Sequence, residues 1–105
     1  MQEHTLDRLQ RLRNAWAKPI IVTSGYRCAE HPVEKAKPNG PGAHSTGCAV
    51  DIRAIGRECY ELLALALPLG FTGVGISQRT PQPRFIHLDD APITGGLVRP
   101  AVWSY

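Results

Sequence analysis

The sequence predicts a single α+β domain in which helices pack on a small, mostly antiparallel sheet. A chain of 105 residues is the size of one domain and can bury a small core without help from disulfides. Two segments carry apolar residues at helical spacing, and several short apolar runs lie between stretches rich in glycine and proline. We therefore expect one domain spanning residues 1–105, with no repeat and no low-complexity segment.

Two segments have the pattern of amphipathic helices. The apolar residues of segment 3–17 fall on one stripe, which consists of Leu6, Leu9, Leu12 and Trp16. Thr5 is a candidate N-cap for this helix, and Pro19 ends the segment. Residues 55–67 form a strongly apolar helical pattern that Pro68 terminates.

Short apolar runs predict the strands, at residues 20–24, 48–53, 71–76, 84–89 and 101–104. Segment 25–43 between the first two strands contains several prolines and glycines, with a potential helical turn at residues 33–36. A punctuated stretch of this length in so small a domain is more typical of a binding surface than of a linker.

Two histidines and a carboxylate make up the ligand set of a catalytic zinc site, with one coordination position left for water: His44, Asp51 and His87. Taken singly, each histidine has the simpler interpretation of an ordinary surface or core residue. Asp51 belongs to a predicted strand and His44 precedes it by an odd number of positions, so an unbroken strand would place them on opposite faces. We therefore expect His44 to come from a loop that Gly47 allows to fold back over the strand end.

A third motif lies upstream, where the strand at 20–24 runs into Ser24-Gly25-Tyr26-Arg27. Arg27 has the simple interpretation of a solvated loop charge. Its guanidinium is also the side chain best suited to hold a carboxylate or to stabilise an oxyanion.

These motifs together resemble the M15 family of zinc D-Ala-D-Ala carboxypeptidases and peptidoglycan endopeptidases, especially its short phage-type and bacterial members. The matching segments are Ser24–Arg27, His44–Asp51 and Phe85–Asp89, with Gly73-Val74-Gly75-Ile76 before the last. The resemblance spans roughly residues 19–105. It implies the hedgehog/D-Ala-D-Ala peptidase-like fold and a Zn²⁺ ion held by the three candidate ligands.

The activity implied by the resemblance is hydrolysis of peptide bonds next to D-amino acids in peptidoglycan stem peptides, as a carboxypeptidase or an endopeptidase. Zinc at His44, Asp51 and His87 would activate a water molecule and polarise the scissile carbonyl. Arg27 would stabilise the oxyanion or hold a substrate carboxylate. Ser24 is a turn residue in the simpler interpretation and a hydrogen-bonding partner of substrate in the other.

The general base departs from the family pattern. Members of this group place an acidic residue three positions before the last ligand or a histidine two before, and here Arg84 and Phe85 occupy those positions. Asp89 shares a strand face with His87, so it could act as the base or hold the imidazole in orientation. A permuted arrangement, with Asp89 as ligand and His87 as base, is chemically sound, and Asp90 is expected to be a turn residue.

The cysteines and the remaining histidines favour no second site. An odd number of cysteines, three, argues against a disulfide framework. Cys48 should face away from Asp51 into the core, and Cys59 fits the apolar face of a helix. Cys28, His31 and Cys48 lack the close paired spacing of structural zinc sites, and His4 has no supporting context.

Two functions outside the enzyme class stay open: a non-catalytic zinc-binding module of the same fold that recognises cell wall, and a basic binding module with incidental histidines. The net charge of +3 is a weak indication of an anionic partner, and basic residues do not alternate with aromatic ones as in nucleic-acid binding. The sequence predicts no membrane span, no signal peptide, no nucleic-acid partner and a monomer. Access to cell wall would then come through lysis or a phage particle, or through a signal trimmed from this chain.

Overall fold

The computed structural model describes residues 2–24, 48–91 and 98–105, which form two α-helices, a 3₁₀ turn and one five-stranded sheet. The elements, in chain order, are α1 (Glu3–Trp16), β1 (Val22–Ser24), β2 (Ala49–Arg53), α2 (Arg57–Ala66), the 3₁₀ turn Leu67–Leu69, β3 (Gly73–Ser77), β4 (Phe85–Asp89) and β5 (Ala101–Ser104). The predicted α+β class is confirmed, and each of these helices and strands lies within about two residues of its predicted bounds.

The sheet has the strand order β1-β2-β4-β3-β5. Each pairing is antiparallel except that of β5, which runs parallel to β3 at one edge. The centre of the sheet is therefore β4, which contains His87 and Asp89 and is flanked by β2 and β3. A central strand has neighbours that hold its register on both sides, so its side chains are well placed to form a rigid site.

The two faces of the sheet carry different side chains, because alternate residues of a strand point to opposite sides. One face, called the helix face, packs against α1 and α2 in a single core. Its buried side chains include Val50, Ile52, Val74, Ile86 and Leu88, which join Leu12, Trp16 and Leu62 of the helices. The other, called the site face, carries Asp51, His87 and Asp89, so the helices lie behind the candidate site.

The start of α1 differs from the prediction. The helix begins at Glu3 with Gln2 as its N-cap, and Gln2 makes no side-chain capping hydrogen bond. Thr5 is therefore wrong as an N-cap. It is fully buried, and its hydroxyl donates to Asp90 Oδ1 at 2.5 Å, because the first turn of α1 packs on the end of β4.

Neither helix of the described ranges has the length and apolar character that crossing a membrane requires.

Candidate metal centre

Asp51 and His87 face each other across the central strands. In the β2–β4 ladder they are direct partners, and His87 Nδ1 lies 3.0 Å from Asp51 Oδ1. The register produces this contact, because residues directly opposite on neighbouring antiparallel strands bring their side chains together on one face. Two of the three predicted ligands are therefore adjacent, with one imidazole nitrogen within hydrogen-bond distance of one carboxylate oxygen.

The other imidazole nitrogen of His87 contacts the carboxylate of Asp89. His87 Nε2 lies 2.6 Å from Asp89 Oδ2, and both residues are on β4 at positions i and i+2. The predicted sharing of a face by these two side chains is therefore present. A carboxylate that receives the second N–H of a histidine fixes both the orientation of the ring and the nitrogen that keeps its lone pair.

Asp89 is fully buried and its carboxylate accepts four hydrogen bonds. Oδ1 accepts from Arg99 Nε at 2.7 Å and from the amide of Ala91 at 3.3 Å. Oδ2 accepts from Arg99 Nη2 at 2.7 Å and from His87. Since a carboxylate has about four acceptor positions, those of Asp89 are filled by donors that hold it in place.

Burial and neighbouring charges act in opposite directions on these two groups. Burial alone would raise the pKa of Asp89, but hydrogen bonds and charges from His87 and Arg99 lower it from 3.8 to about 2. Burial would lower the pKa of His87, and hydrogen bonds and charges from Asp51 and Asp89 outweigh it, so the pKa is raised. Without a metal the histidine is therefore stabilised as a cation between two carboxylates.

Two glycines of β3 make room for this arrangement. Gly73 is the ladder partner of Asp89, and a Cβ there would overlap the Asp89 carboxylate. Gly75 is the partner of His87, and a Cβ there would overlap the Trp103 indole. The Gly-Val-Gly pattern of β3 thus has a steric reason: the site face of this strand is filled by side chains from β4 and β5.

Trp103 and Arg99 come from the C-terminal segment and complete one side of the site. The Trp103 ring lies 5.0 Å from the His87 ring, and the Arg99 guanidinium lies 5.1 Å from the Trp103 ring. The sequence motifs placed neither residue in the site. Because Arg99 meets Asp89 only once β5 pairs with β3, no spacing along the chain signals the contact.

The remaining predicted site residues fall partly outside the described ranges. Arg27 and His44 lie outside them, as do Cys28, His31 and the potential helical turn at 33–36. Ser24 ends β1, where its backbone is the ladder partner of Asp51. The metal set of His44, Asp51 and His87 and the substrate contacts of Arg27 and Ser24 stay predictions.

A second group of potential metal ligands lies on the helix face and consists of His4, Cys48 and Asp90. His4 Nδ1 and Arg8 Nη1 bond Asp90 Oδ2 at 2.7 and 2.8 Å, and His4 Nε2 lies 3.8 Å from Cys48 Sγ. The two nitrogens of His4 thus serve different neighbours, and the Arg8 cation already neutralises Asp90. This group joins α1 to the sheet through polar contacts. The expectation that Asp90 is a turn residue and the expectation that His4 has no supporting context are therefore wrong.

The other expectations for the cysteines hold in the described residues. Cys48 is buried with Ala49 and Ala91, near α1 rather than Asp51. Cys59 is buried in the core between α2 and the sheet, and burial raises the pKa of its thiol. A protonated buried thiol is a poor nucleophile and a poor metal ligand.

A small α+β domain with a buried histidine–carboxylate pair, on the sheet face opposite the helices, has the side-chain chemistry of a metallohydrolase. The family described as Peptidase M15 matches residues 1–89, which is most of the chain and contains Asp51, His87 and Asp89. The chain belongs to this family of zinc-dependent metallopeptidases. No curated protein and no solved structure gives a significant match.

Proposed function

We propose that this protein is a zinc-dependent peptidase that hydrolyses bonds involving D-amino acids in peptidoglycan stem peptides. Membership of the M15 family supports a metallopeptidase acting on peptidoglycan-like substrates. The observation that carries the proposal is the contact between Asp51 Oδ1 and His87 Nδ1, 3.0 Å apart, on the face of the sheet opposite the helices.

The donor chemistry of this pair fits zinc. Imidazole nitrogen and carboxylate oxygen are both ordinary zinc ligands, and catalytic sites use three protein ligands. The hydrogen bond from His87 Nε2–H to Asp89 leaves Nδ1 as the nitrogen available to a metal beside Asp51. His44 is the proposed third ligand, on the strength of its motif in the sequence.

Zinc bound there would supply Lewis-acid chemistry, by lowering the pKa of water and polarising the scissile carbonyl. Arg27 is the proposed partner of a substrate carboxylate or oxyanion, because its fork geometry matches two oxygens at once. Ser24 is the proposed additional hydrogen-bonding partner of the substrate. A pocket that closes around a terminal carboxylate would make a carboxypeptidase, and an open groove would make an endopeptidase.

We propose that Asp89 orients His87 and does not act as the general base that accepts a proton from water. The four donors around its carboxylate leave no acceptor position for a further proton, and the residue is fully buried behind the imidazole. A pKa near 2 also makes a weak base at neutral pH. The role of Asp89 is therefore proposed to be orientation.

A second candidate function is a non-catalytic zinc-binding module that recognises cell wall. It is favoured by the residues at the positions where the family places its base. Arg84 and Phe85 cannot accept a proton, and Phe85 packs against Tyr105 with 5.1 Å between ring centroids. Among the carboxylates of the described ranges, only Asp51 and Asp89 lie on the site face, and both interact with His87.

The deciding experiment is mass spectrometry of purified peptidoglycan and of synthetic stem peptides after incubation with zinc-loaded protein, with a chelator-treated sample in parallel. Zinc-dependent release of a terminal D-alanine would identify a carboxypeptidase, and opening of a cross-link would identify an endopeptidase. Stoichiometric zinc without cleavage of several wall types would favour the binding module.

Two histidine variants provide the matched pair for this experiment. His87→Ala should abolish zinc-dependent cleavage, whereas His4→Ala removes an exposed imidazole on the helix face and should retain it. Equal activity of the two variants would contradict the proposed site.

A further inference from the structure

Arg99 is a charged residue of the site face that neither the motifs nor the family match includes. The family match ends at residue 89, and Arg99 lies on the approach to β5. Its side chain is only 8 % exposed, which is unusual for an arginine, and two of its nitrogens bind the two oxygens of Asp89 at 2.7 Å each. The contact is a buried, bidentate ion pair.

A bidentate pair does more than neutralise charge. Two parallel hydrogen bonds fix the plane of the carboxylate as well as its position, which a lysine ammonium cannot do. The oxygen that receives Arg99 Nη2 also receives His87 Nε2, so the plane of Asp89 determines the plane of the imidazole. Trp103 lies against both the Arg99 guanidinium and the His87 ring and limits their movement from the side.

We infer that Arg99 is a positioning residue of the metal centre: through Asp89 it fixes the His87 ring so that Nδ1 is directed to the metal beside Asp51. This inference rests on the proposed function, since it assigns a role toward a zinc ion at Asp51 and His87. It extends the centre beyond the family motifs to the C-terminal strand of this chain.

Loss of the guanidinium would leave Asp89 buried with two fewer hydrogen-bond donors. A buried carboxylate without its cationic partner is costly, so the side chain would turn or take up other partners. The His87 ring would then lose its fixed acceptor at Nε2 and sample orientations that do not direct Nδ1 to the metal. Removal of such supporting partners typically costs 10–100-fold in metal affinity.

The test measures zinc affinity by competition with a chromophoric chelator for wild type, Arg99→Gln and Arg99→Lys. In parallel, long-range ¹H–¹⁵N spectra report which nitrogen of His87 carries the proton; the chain has four histidines, and His87→Asn assigns the signal. We expect wild-type zinc binding at Nδ1 with the proton on Nε2, a loss of roughly tenfold or more in affinity for Arg99→Gln, and an intermediate loss for Arg99→Lys. A mixed or altered pattern at His87 should accompany each loss.

Two controls separate positioning from mere support of the fold. Arg57→Gln removes an exposed arginine from α2 and should leave affinity and the His87 spectrum unchanged. Val102→Gly weakens β5 at a side chain that is 71 % exposed and points away from the site face. If Arg99 only anchored β5, Val102→Gly and Arg99→Gln would lower zinc affinity equally when they lower thermal stability equally. That result would overturn the inference.

The outcomes also distinguish this inference from the proposed function. Zinc bound at His87 in wild type, with affinity and spectrum unchanged in both Arg99 variants, overturns the role of Arg99 and leaves the proposed metal site standing. Zinc that leaves the His87 signals of the wild type unperturbed overturns the proposed site, and the role of Arg99 with it. Arg99→Lys keeps the test decisive if Arg99→Gln does not fold.

Discussion

Asp89 and Asp90 are consecutive in the chain, yet each binds an arginine on a different face of the sheet. Asp89 accepts two bonds from Arg99 on the site face, and Asp90 accepts one from Arg8 of α1 on the helix face. The alternation of a strand explains the division, because neighbouring residues point to opposite sides. The first carboxylate therefore belongs to the candidate metal centre and the second to the packing of α1.

Asp90→Asn should destabilise the fold without weakening zinc binding. The carboxylate is almost fully buried and accepts bonds from Thr5, Arg8 and His4, and hydrogen bonds to charged groups contribute about 1.5–3 kcal/mol. We expect a free energy of unfolding lower by about 2 kcal/mol in urea titrations. Asp7→Asn, at an exposed position of the same helix, is the control and should change little. A loss of zinc affinity in Asp90→Asn at full stability would contradict the division between the two faces.

Most of the secondary structure could be predicted from the sequence because it depends on local periodicity. Strand β4 and its residues His87 and Asp89 could be placed on one face from the alternation alone, and the structure agrees. The segments of α1 and α2 follow from their apolar stripes, and Leu12 and Trp16 lie in the core as expected. Leu6 of the predicted α1 stripe is instead 48 % exposed.

The contacts that complete the site could not be predicted, because they depend on tertiary pairing. Arg99 reaches Asp89 only through the parallel pairing of β5 with β3, and His4 reaches Asp90 across 86 positions of the chain. Neither contact has a characteristic spacing. Thr5 illustrates the same limit, since its residue type favours a cap while packing on β4 gave it a buried partner.

Alanine at any one of the three proposed ligands should strip the metal. His44→Ala, Asp51→Ala and His87→Ala each remove one of three protein ligands, so bound zinc per protein should fall well below one by elemental analysis after dialysis. Activity on stem peptides should disappear together with the metal. Tight one-to-one zinc binding by all three variants would place the ion elsewhere in the protein.

Asp89→Asn separates the three roles considered for this residue. An amide oxygen can still accept from His87 Nε2 but loses the charge that holds Arg99, so the orienting role predicts a roughly 10–100-fold weaker zinc affinity with bound metal still attainable. A general base would leave zinc affinity unchanged and lower kcat by at least about a hundredfold. A direct ligand would lose stoichiometric zinc. Chelator competition and single-turnover kinetics on one preparation distinguish these results.

Gly73→Ala should disturb the centre from the neighbouring strand. A methyl group at this position overlaps the Asp89 carboxylate, so the carboxylate must move away from His87 and Arg99. We expect a stability loss of about 1–3 kcal/mol, as in other overpacked sites, together with weaker zinc binding. Gly75→Ala is the matched variant, because its added methyl group would overlap the Trp103 indole and not the Asp89 carboxylate. Equal zinc affinity for Gly73→Ala and wild type would show that the carboxylate position is not critical.

Acid should remove the contribution of Asp89 to stability in the metal-free protein. The pKa of Asp89 is about 2 in the folded state against an ordinary 3.8, so its contribution is complete above pH 4 and is lost as the pH falls through 2. The difference between these values corresponds to about 2 kcal/mol. His87 does not interfere, because its pKa is raised from 6.5 and it stays protonated in both the folded and the unfolded state below pH 5.

The measurement is a set of urea titrations of wild type and Asp89→Asn with chelator present. We expect the difference in unfolding free energy between the two proteins to shrink by about 2 kcal/mol from pH 5 to pH 2, since the other carboxylates act equally in both proteins. Parallel stability curves for the two proteins over this range would mean that Arg99 and His87 do not hold Asp89 in its charged form.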